Sequence, residues 1–250
     1  MTAYDPARYG RAVGADYDAL YPDQGLATEA AAAKLAELAD SRPGRSVLEF
    51  GVGTGRLALA LLRHGVRVAG IDGSESMVAQ LRAKPDGDAI DVTIGDYRDA
   101  RAAGSFAVVA LVFNGIFDPR GRHVQLEIFR NAARHLEPEG FFVVESFVLS
   151  DEQRSGEWSV SPRYVGDDHV ELQVARYDIA TNRIERTLVH LLAEGPRFIT
   201  VRDTYASPGE LDVMAEVTGF DRVAREAGWS REPFTASSAS HVSVYQLRAG

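Results

Sequence analysis

Short, nearly continuous apolar runs alternate with amphipathic stretches over residues 46–147 of this 250-residue chain. The runs Ser46–Phe50, Val66–Ile71, Ile90–Ile94, Phe106–Phe113 and Phe141–Phe147 have strand length, while Leu57–Arg63, Ser76–Ala83 and Val124–Leu136 repeat apolar residues at helical spacing. Apolar strands without a polar alternation need cover on both faces, so the pattern predicts a mostly parallel sheet between two helical layers. That is a doubly wound α/β domain, with its ligand beyond the carboxyl ends of the strands.

Upstream, Ala27–Ala39 is rich in Ala, Glu, Leu and Lys, favours helix, and stops at Ser41-Arg42-Pro43-Gly44. Residues 4–21 carry Tyr4, Tyr9, Tyr17 and Tyr21, which read either as a helix packed on the core or as a flap over a ligand. After Ser150 the rhythm changes. Val170–Tyr177, Ile184–Leu192 and Phe198–Tyr205, parted by the turns Thr181-Asn182 and Gly195-Pro196, predict a three-stranded antiparallel meander. Ser207-Pro208-Gly209-Glu210 then opens a helix, Gly219 closes it, and Arg222–Arg225 and Val242–Leu247 complete seven strands in the main sheet. The expected organisation is a helical cap at 1–44, an α/β core at 45–150, an antiparallel insertion for substrate or dimer contact at 151–206, and a return to the core at 207–250.

Composition narrows the function classes. A net charge of -9 argues against nucleic acid or an anionic membrane as the main partner, and no apolar run reaches membrane-spanning length. There is no cysteine, hence no disulfide, thiolate metal site or thiol nucleophile, which fits a reducing cytoplasm. No group of His, Asp and Glu has metal-ligand spacing, so no metal is expected. Arginine greatly outnumbers Lys34 and Lys84; genome base composition is the bland reason, and recognition of phosphate or carboxylate the sharper one.

The stretch richest in chemistry is Val47-Leu48-Glu49-Phe50-Gly51-Val52-Gly53-Thr54-Gly55-Arg56. An apolar strand, three alternate glycines and an amphipathic segment make a tight strand-to-helix turn that lets a ligand approach the backbone closely. The nicotinamide fingerprint GxGxxG needs glycine at Arg56, and a P-loop needs a Lys-Ser or Lys-Thr pair that is absent. A nicotinamide-dependent reductase therefore stands only as an alternative, beside a non-catalytic cofactor-binding module.

Glu49 to Gly55 resembles motif I of the class I S-adenosylmethionine-dependent methyltransferases, written acidic-x-G-x-G-x-G. Further resemblances follow in order: Val68-Ala69-Gly70-Ile71-Asp72 with the second strand and its acidic end, Ser74-Glu75-Ser76-Met77 with the next helix start, and Gly95-Asp96-Tyr97 with the turn after strand three. His135-Leu136-Glu137-Pro138-Glu139-Gly140 is similar to the turn before strand five, with Glu139 in place of a glycine. The whole chain looks most like bacterial amino-sugar N-methyltransferases and related natural-product enzymes. The resemblance implies S-adenosylmethionine as cofactor, leaving as S-adenosylhomocysteine, with Asp72 on the ribose hydroxyls and Asp96 and Tyr97 at the adenine. It also implies Glu49, Gly51, Gly53, Gly55, Gly73 and Met77 around the cofactor, Asn114 near the reacting methyl, and Tyr21, with Tyr17 and Arg11, as a cap.

Methyl transfer needs a dry site and an aligned nucleophile more than acid or base, because the sulfonium is already activated. An amine must only be neutral, whereas an alcohol needs a base. His123 and Glu145 are the catalytic candidates, with His190 and His241 behind them. Arg154, Arg163, Arg176, Arg183, Arg186, Arg197 and Arg202 in the insertion read either as a solvated face or as anion recognition. The meander's apolar positions need cover from the main sheet or from a second copy, so a homodimer acting on a small-molecule substrate is expected.

Overall fold

The computed structural model describes residues 17–20 and 25–249, except 151, 152, 154, 155 and 168, together with the isolated positions 5, 7 and 10. Tyr4, Tyr9, Arg11, Tyr21 and Arg154 lie outside the described residues. In chain order the elements of the main sheet and its cover are α1 (Tyr17–Leu20), α2 (Gly25–Asp40), β1 (Ser46–Phe50), α3 (Arg56–Arg63), β2 (Arg67–Asp72), α4 (Glu75–Arg82), β3 (Asp91–Ile94), β4 (Phe106–Leu111), α5 (Arg122–His135) and β5 (Leu136–Phe147). Then come β6 (Ser159–Val165), β7 (Val170–Asp178), β8 (Arg183–Leu192), β9 (Gly195–Thr204), α6 (Pro208–Val217), β10 (Phe220–Glu226) and β11 (Ser240–Leu247).

The main sheet has seven strands in the order β10-β11-β5-β4-β1-β2-β3, and only β11 runs antiparallel to its neighbours. Strands β1 and β4 are buried at every position, as the unbroken apolar sequence of β4 requires; in β1 the burial takes in Ser46 and Glu49 as well. Alternate residues feed two cores. Val47, Val68, Val108 and Val143 meet α2 and α3 on one face, while Leu48, Phe50, Val109 and Phe142 meet α5 and α6 on the other. The chain leaves β1 toward β2 and β3 and returns to β4 on the opposite side, which opens a switch-point crevice at the carboxyl ends of β1 and β4.

Two boundaries differ from expectation for a physical reason. Strand β4 ends at Leu111 because Phe113 and Asn114 turn left-handed, with φ of 57° and 64°. Strand β5 starts early, at Leu136, and bulges before Phe141; Glu139 takes φ of 59°, adopting the conformation for which glycine is the usual residue.

The insertion has four strands, β6-β7-β8-β9, where three are expected from the sequence. Strand β6 escapes that reading because every residue in it is exposed, Pro162 interrupts it, and the ladder slips between Pro162 and Tyr164. Such features belong to an edge strand, whose pairing rests on the neighbour. The inner face of this sheet docks through Tyr177 and Ile184 into the core beneath α5 and α6. Tyr205 contacts the rings of Phe117 (centroids 5.2 Å apart), Tyr177 (6.0 Å) and Phe147 (6.1 Å), forming the joint between the two sheets. A capping box of Ser207 and Glu210 then starts α6, with Pro208 in the first turn.

No helix among the described residues is long and apolar enough to cross a membrane. His241 is fully buried on β11 opposite Ser146. Its Nε2 lies 2.8 Å from the Ser146 hydroxyl and its Nδ1 2.9 Å from that of Ser243. Burial, helped by the charge of Arg225 and opposed by Asp212, lowers its pKa to about 4. Stability from this group is complete above the unfolded value of about 6.5 and is lost as pH falls toward 4, because only the unfolded chain takes the proton. The loss should approach 3 kcal/mol in order of magnitude. Denaturant titrations at pH 7 and pH 5 should show the drop, and His241→Gln should remove that share of it.

Candidate active site

The turn between β1 and α3 is built from backbone. Gly51, Gly53 and Gly55 have φ of 75°, 54° and 78°, in the region that other residues enter at a cost. Gly51 and Val52 donate to the Ile71 carbonyl at 2.7 and 3.2 Å, tying the turn to the end of β2. Helix α3 starts without a side-chain cap at Gly55, so its first N–H groups are open to acidic partners.

Two carboxyl groups answer this donor-rich turn. Asp72 accepts from the Gly53 N–H through Oδ2 and from the Ser74 N–H through Oδ1, both at 2.7 Å. Burial raises its pKa, and those two N–H groups counter the rise. Each oxygen with one donor keeps a lone pair, enough for the two hydroxyls of a vicinal diol. Glu49 is buried beneath the turn and accepts from the Ala58 N–H, and its Oε2 has no partner among the described residues. Burial pushes its pKa up to about 8 despite the nearby charge of Arg56, with Asp72 adding to the rise. A buried carboxyl with a vacant oxygen suits a cationic amine. Met77 places its Cε 3.3 Å from where a Cβ on Gly53 would stand, so a side chain there would crowd the turn. Gly73 links Asp72 to the Ser74 cap of α4.

After β3, Asp96 is already engaged. Its Oδ1 accepts from the Arg98 N–H at 2.9 Å and its Oδ2 pairs with Arg120 at 2.6 Å. Arg120 also forks onto the buried Asp118 carboxylate, which raises the guanidinium pKa against its own desolvation. Tyr97 sits against Gly51 and Phe50 and donates its hydroxyl to the Gly115 carbonyl at 2.9 Å. Sequence pattern singles out Asp96 and Tyr97 but not Arg120, which reaches them from a separate loop.

The end of β4 is held by Glu145. Its Oε2 accepts from the Phe113 N–H at 3.0 Å, its Oε1 from the Trp229 indole at 2.7 Å, and its carbonyl from the Asn114 N–H at 3.2 Å. Asn114 Oδ1 accepts in turn from the Phe147 N–H at 2.8 Å. Both carboxylate oxygens of Glu145 are therefore engaged, one by the strained loop and one by the Trp229 indole. Trp229 carries no sequence signal; it comes from the loop before β11, far along the chain, and only folding brings it to β5. His123 is exposed in the first turn of α5, and no contact links it to Glu145 among the described residues. His190 is buried in the inserted sheet, 3.7 Å from Glu171, so neither it nor His241 joins this group.

A further clasp joins α1 to the turn. Asp18 accepts from the Thr54 hydroxyl at 2.7 Å and pairs with Lys84 at 2.5 Å, while Lys84 also donates to the Thr54 carbonyl. Tyr17 is half-buried on the same helix. Beyond Asn114 and Phe147 a cavity of about 320 Å³ opens between β5 and the inner face of the inserted sheet. Its size suits a small molecule. Among the described residues no cluster of His, Asp or Glu converges as a metal site.

A doubly wound sheet with a glycine turn at its switch point and two acidic groups beneath it defines a Rossmann-like scaffold for a ribose-bearing cofactor. Residues 47–140 match the family model described as a methyltransferase domain. The fold matches the CcbJ methyltransferase from Streptomyces caelestis with a TM-score of 0.88 and 32% identity, over 98% of this chain and 100% of that one. Cypemycin N-terminal methyltransferase from a Streptomyces species is 28% identical over 97% of this chain and 98% of its own length. The dTDP-3-amino-3,4,6-trideoxy-alpha-D-glucopyranose N,N-dimethyltransferase of Streptomyces venezuelae is 28% identical over 78% of this chain and 76% of its own. The chain belongs to the methyltransferase family, whose class I members take the methyl group from S-adenosylmethionine. This membership sets aside the nicotinamide-dependent reductase.

Glu145→Ala would strand the Phe113 and Trp229 donors. It should cost about 2–3 kcal/mol in denaturant titration and speed deuterium exchange at the Phe113 amide. An unchanged midpoint with unchanged exchange would mean that another group holds the loop.

Proposed function

We propose that the protein transfers a methyl group from S-adenosylmethionine to the nitrogen of a small-molecule amine. The observation that carries this reading is the pairing of the glycine turn, Asp72 and the vacant Glu49 oxygen with a separate cavity opening at Asn114. Asp72 would take the ribose hydroxyls and Glu49 the amino group of the methionine part, with Gly51, Gly53 and Gly55 allowing close approach and Met77, Gly73 and Tyr97 packing around it. When bound, the cofactor supplies an electrophilic methyl on a sulfonium. The chain's own task is to orient the acceptor and exclude water. Asp96 acts through Arg120 in this reading, since the guanidinium already occupies one of its oxygens.

The choice of nitrogen over oxygen has its own support. The described residues lining the cavity include neither carboxylate nor imidazole. A neutral amine needs no base, whereas an alcohol does. The names of the cypemycin and amino-sugar relatives point the same way. Glu145 and Asn114 are then positioning residues for the loop beside the acceptor, and His123 has no part in proton transfer.

Calorimetry with S-adenosylhomocysteine should show binding, weakened about a hundredfold or more by Asp72→Ala, from two bonds of roughly 1.5 kcal/mol each. Glu49 is largely protonated below pH 8 in the free protein, and an ammonium partner favours its ionised form. Binding at pH 7 should therefore release a proton, and affinity should rise as pH approaches 8. Failure of the unaltered protein to bind would remove the cofactor assignment. Mass spectrometry of amine and alcohol acceptors then tests the nitrogen assignment.

The homodimer belongs to the same reading. The outer face of the inserted sheet presents the cross-strand rows Val165–Val170–Leu191–Pro196 and Pro162–Leu172–Val189–Phe198, with no charge in either. Val165 is 73% exposed and Phe198 64%. A second copy pairing through this face would cover it in an isologous contact. Light scattering should give a dimer mass, and Phe198→Asp should give a monomer that still binds S-adenosylhomocysteine.

A further inference from the structure

Asp18 on α1 accepts from the Thr54 hydroxyl through Oδ1 at 2.7 Å, and its Oδ2 lies 2.5 Å from Lys84 Nζ. The same ammonium donates to the Thr54 carbonyl at 2.8 Å, so hydroxyl and backbone of one turn residue are gripped together. Thr54 itself is buried between Gly53, whose N–H is on Asp72, and Gly55, where α3 begins. Lys84 follows the C-terminal end of α4 and is, with Lys34, one of two lysines in the chain. A slender stem and three rotatable donors let one ammonium serve a carboxylate and a carbonyl at once. A second contact lies at the opposite end of α4. Gly10 is buried there against Ser74 and Met77; a Cβ in its place would stand 2.3 Å from Ser74 Oγ and 2.8 Å from Met77 Cγ. Asp72 holds the N–H groups of Ser74 and Gly53, so the N-terminal stretch touches the fold beside each of them, through Gly10 at Ser74 and through Asp18 next to Gly53. Burial works to raise the Asp18 pKa, but the Lys84 and Thr54 hydrogen bonds and the charges of Lys84 and Arg56 carry it below the ordinary carboxylate value. The pair stays open to water, with side-chain exposures of 47% for Asp18 and 29% for Lys84. An ion pair so exposed is weak enough to part and re-form.

Resting on the cofactor reading above, we propose that Asp18 and Lys84 are positioning residues for the cofactor: their ion pair clasps α1 to the glycine turn and sets how long a nucleoside held by Asp72 stays bound. A ligand on Asp72 lies between the two contacts of the N-terminal stretch, and its departure requires one of them to open. The Gly10 contact is close packing with no charge to exchange with solvent. The Asp18 end is the one that water and salt can loosen. Because the clasp grips Thr54 rather than the ligand, it governs departure and leaves the ribose contacts of Asp72 as they are. Spent cofactor must leave before the next turnover, so the clasp bears on kcat as well as on affinity.

Dissociation of S-adenosylhomocysteine from the immobilised full chain is followed by surface plasmon resonance in the unaltered protein, Asp18→Asn and Lys84→Met. Each substitution removes the ion pair from a different element, and each variant should release the ligand about threefold faster or more, the scale an exposed pair supports, with little change in association rate. Lys84→Arg, which keeps the charge, should stay near the unaltered rate. Raising sodium chloride from about 0.05 to 0.5 M should speed release from the unaltered protein and leave both uncharged variants as they were, a response that lost packing alone does not give. Equal release rates in the unaltered protein and the two uncharged variants, or the same salt response in all three, would overturn the proposal. Absence of S-adenosylhomocysteine binding in the unaltered protein would instead count against the cofactor assignment, so the two failures are told apart.

Discussion

The carboxylate of Asp72 spans the glycine turn and the start of α4, one oxygen on the Gly53 N–H and the other on the Ser74 N–H. A turn that exposes backbone donors to a ligand must be held without filling the space the ligand needs. Glycine removes the side chains, and the carboxylate supplies the anchor from the neighbouring strand. Because Ile71 also accepts from Gly51 and Val52, the end of β2 fixes both the height and the direction of the turn. Glu49 then lies under a turn that cannot sag onto it, which leaves its Oε2 buried and unanswered.

A second constraint shapes the acceptor side. The backbone at Phe113 and Asn114 is left-handed at two successive residues that are not glycine, a conformation that costs about 1 kcal/mol or more at each. Glu145 keeps it by taking the Phe113 N–H on its side chain and the Asn114 N–H on its carbonyl, with Trp229 fixing the carboxylate from the other side. The Asn114 side chain then reaches the Phe147 backbone, and the Phe147 ring joins the cluster of Phe117 and Tyr205 that seats the inserted sheet. One run of contacts thus leads from the end of β4 to the sheet that walls the cavity.

The sequence by itself determined the layered α/β architecture, since unbroken apolar strands parted by amphipathic helices have few other ways to be covered. It also marked the glycine turn and Asp72, because local spacing dictates a left-handed turn and places an acidic residue at the end of β2. Glu139 shows how a local rule can hold while its usual residue is absent: the backbone is left-handed there all the same. Strand β6 was illegible because an exposed, proline-broken segment has no hydrophobic signature of its own and is ordered only by pairing with β7. The tertiary structure alone decided that Arg120 reaches Asp96, that the two oxygens of Glu145 are taken by the Phe113 amide and the Trp229 indole, and that Arg186 pairs with Asp203 at the inner face of the inserted sheet. These are contacts between residues distant in sequence, and no local periodicity encodes which of many arginines or carboxylates will meet once two sheets pack together.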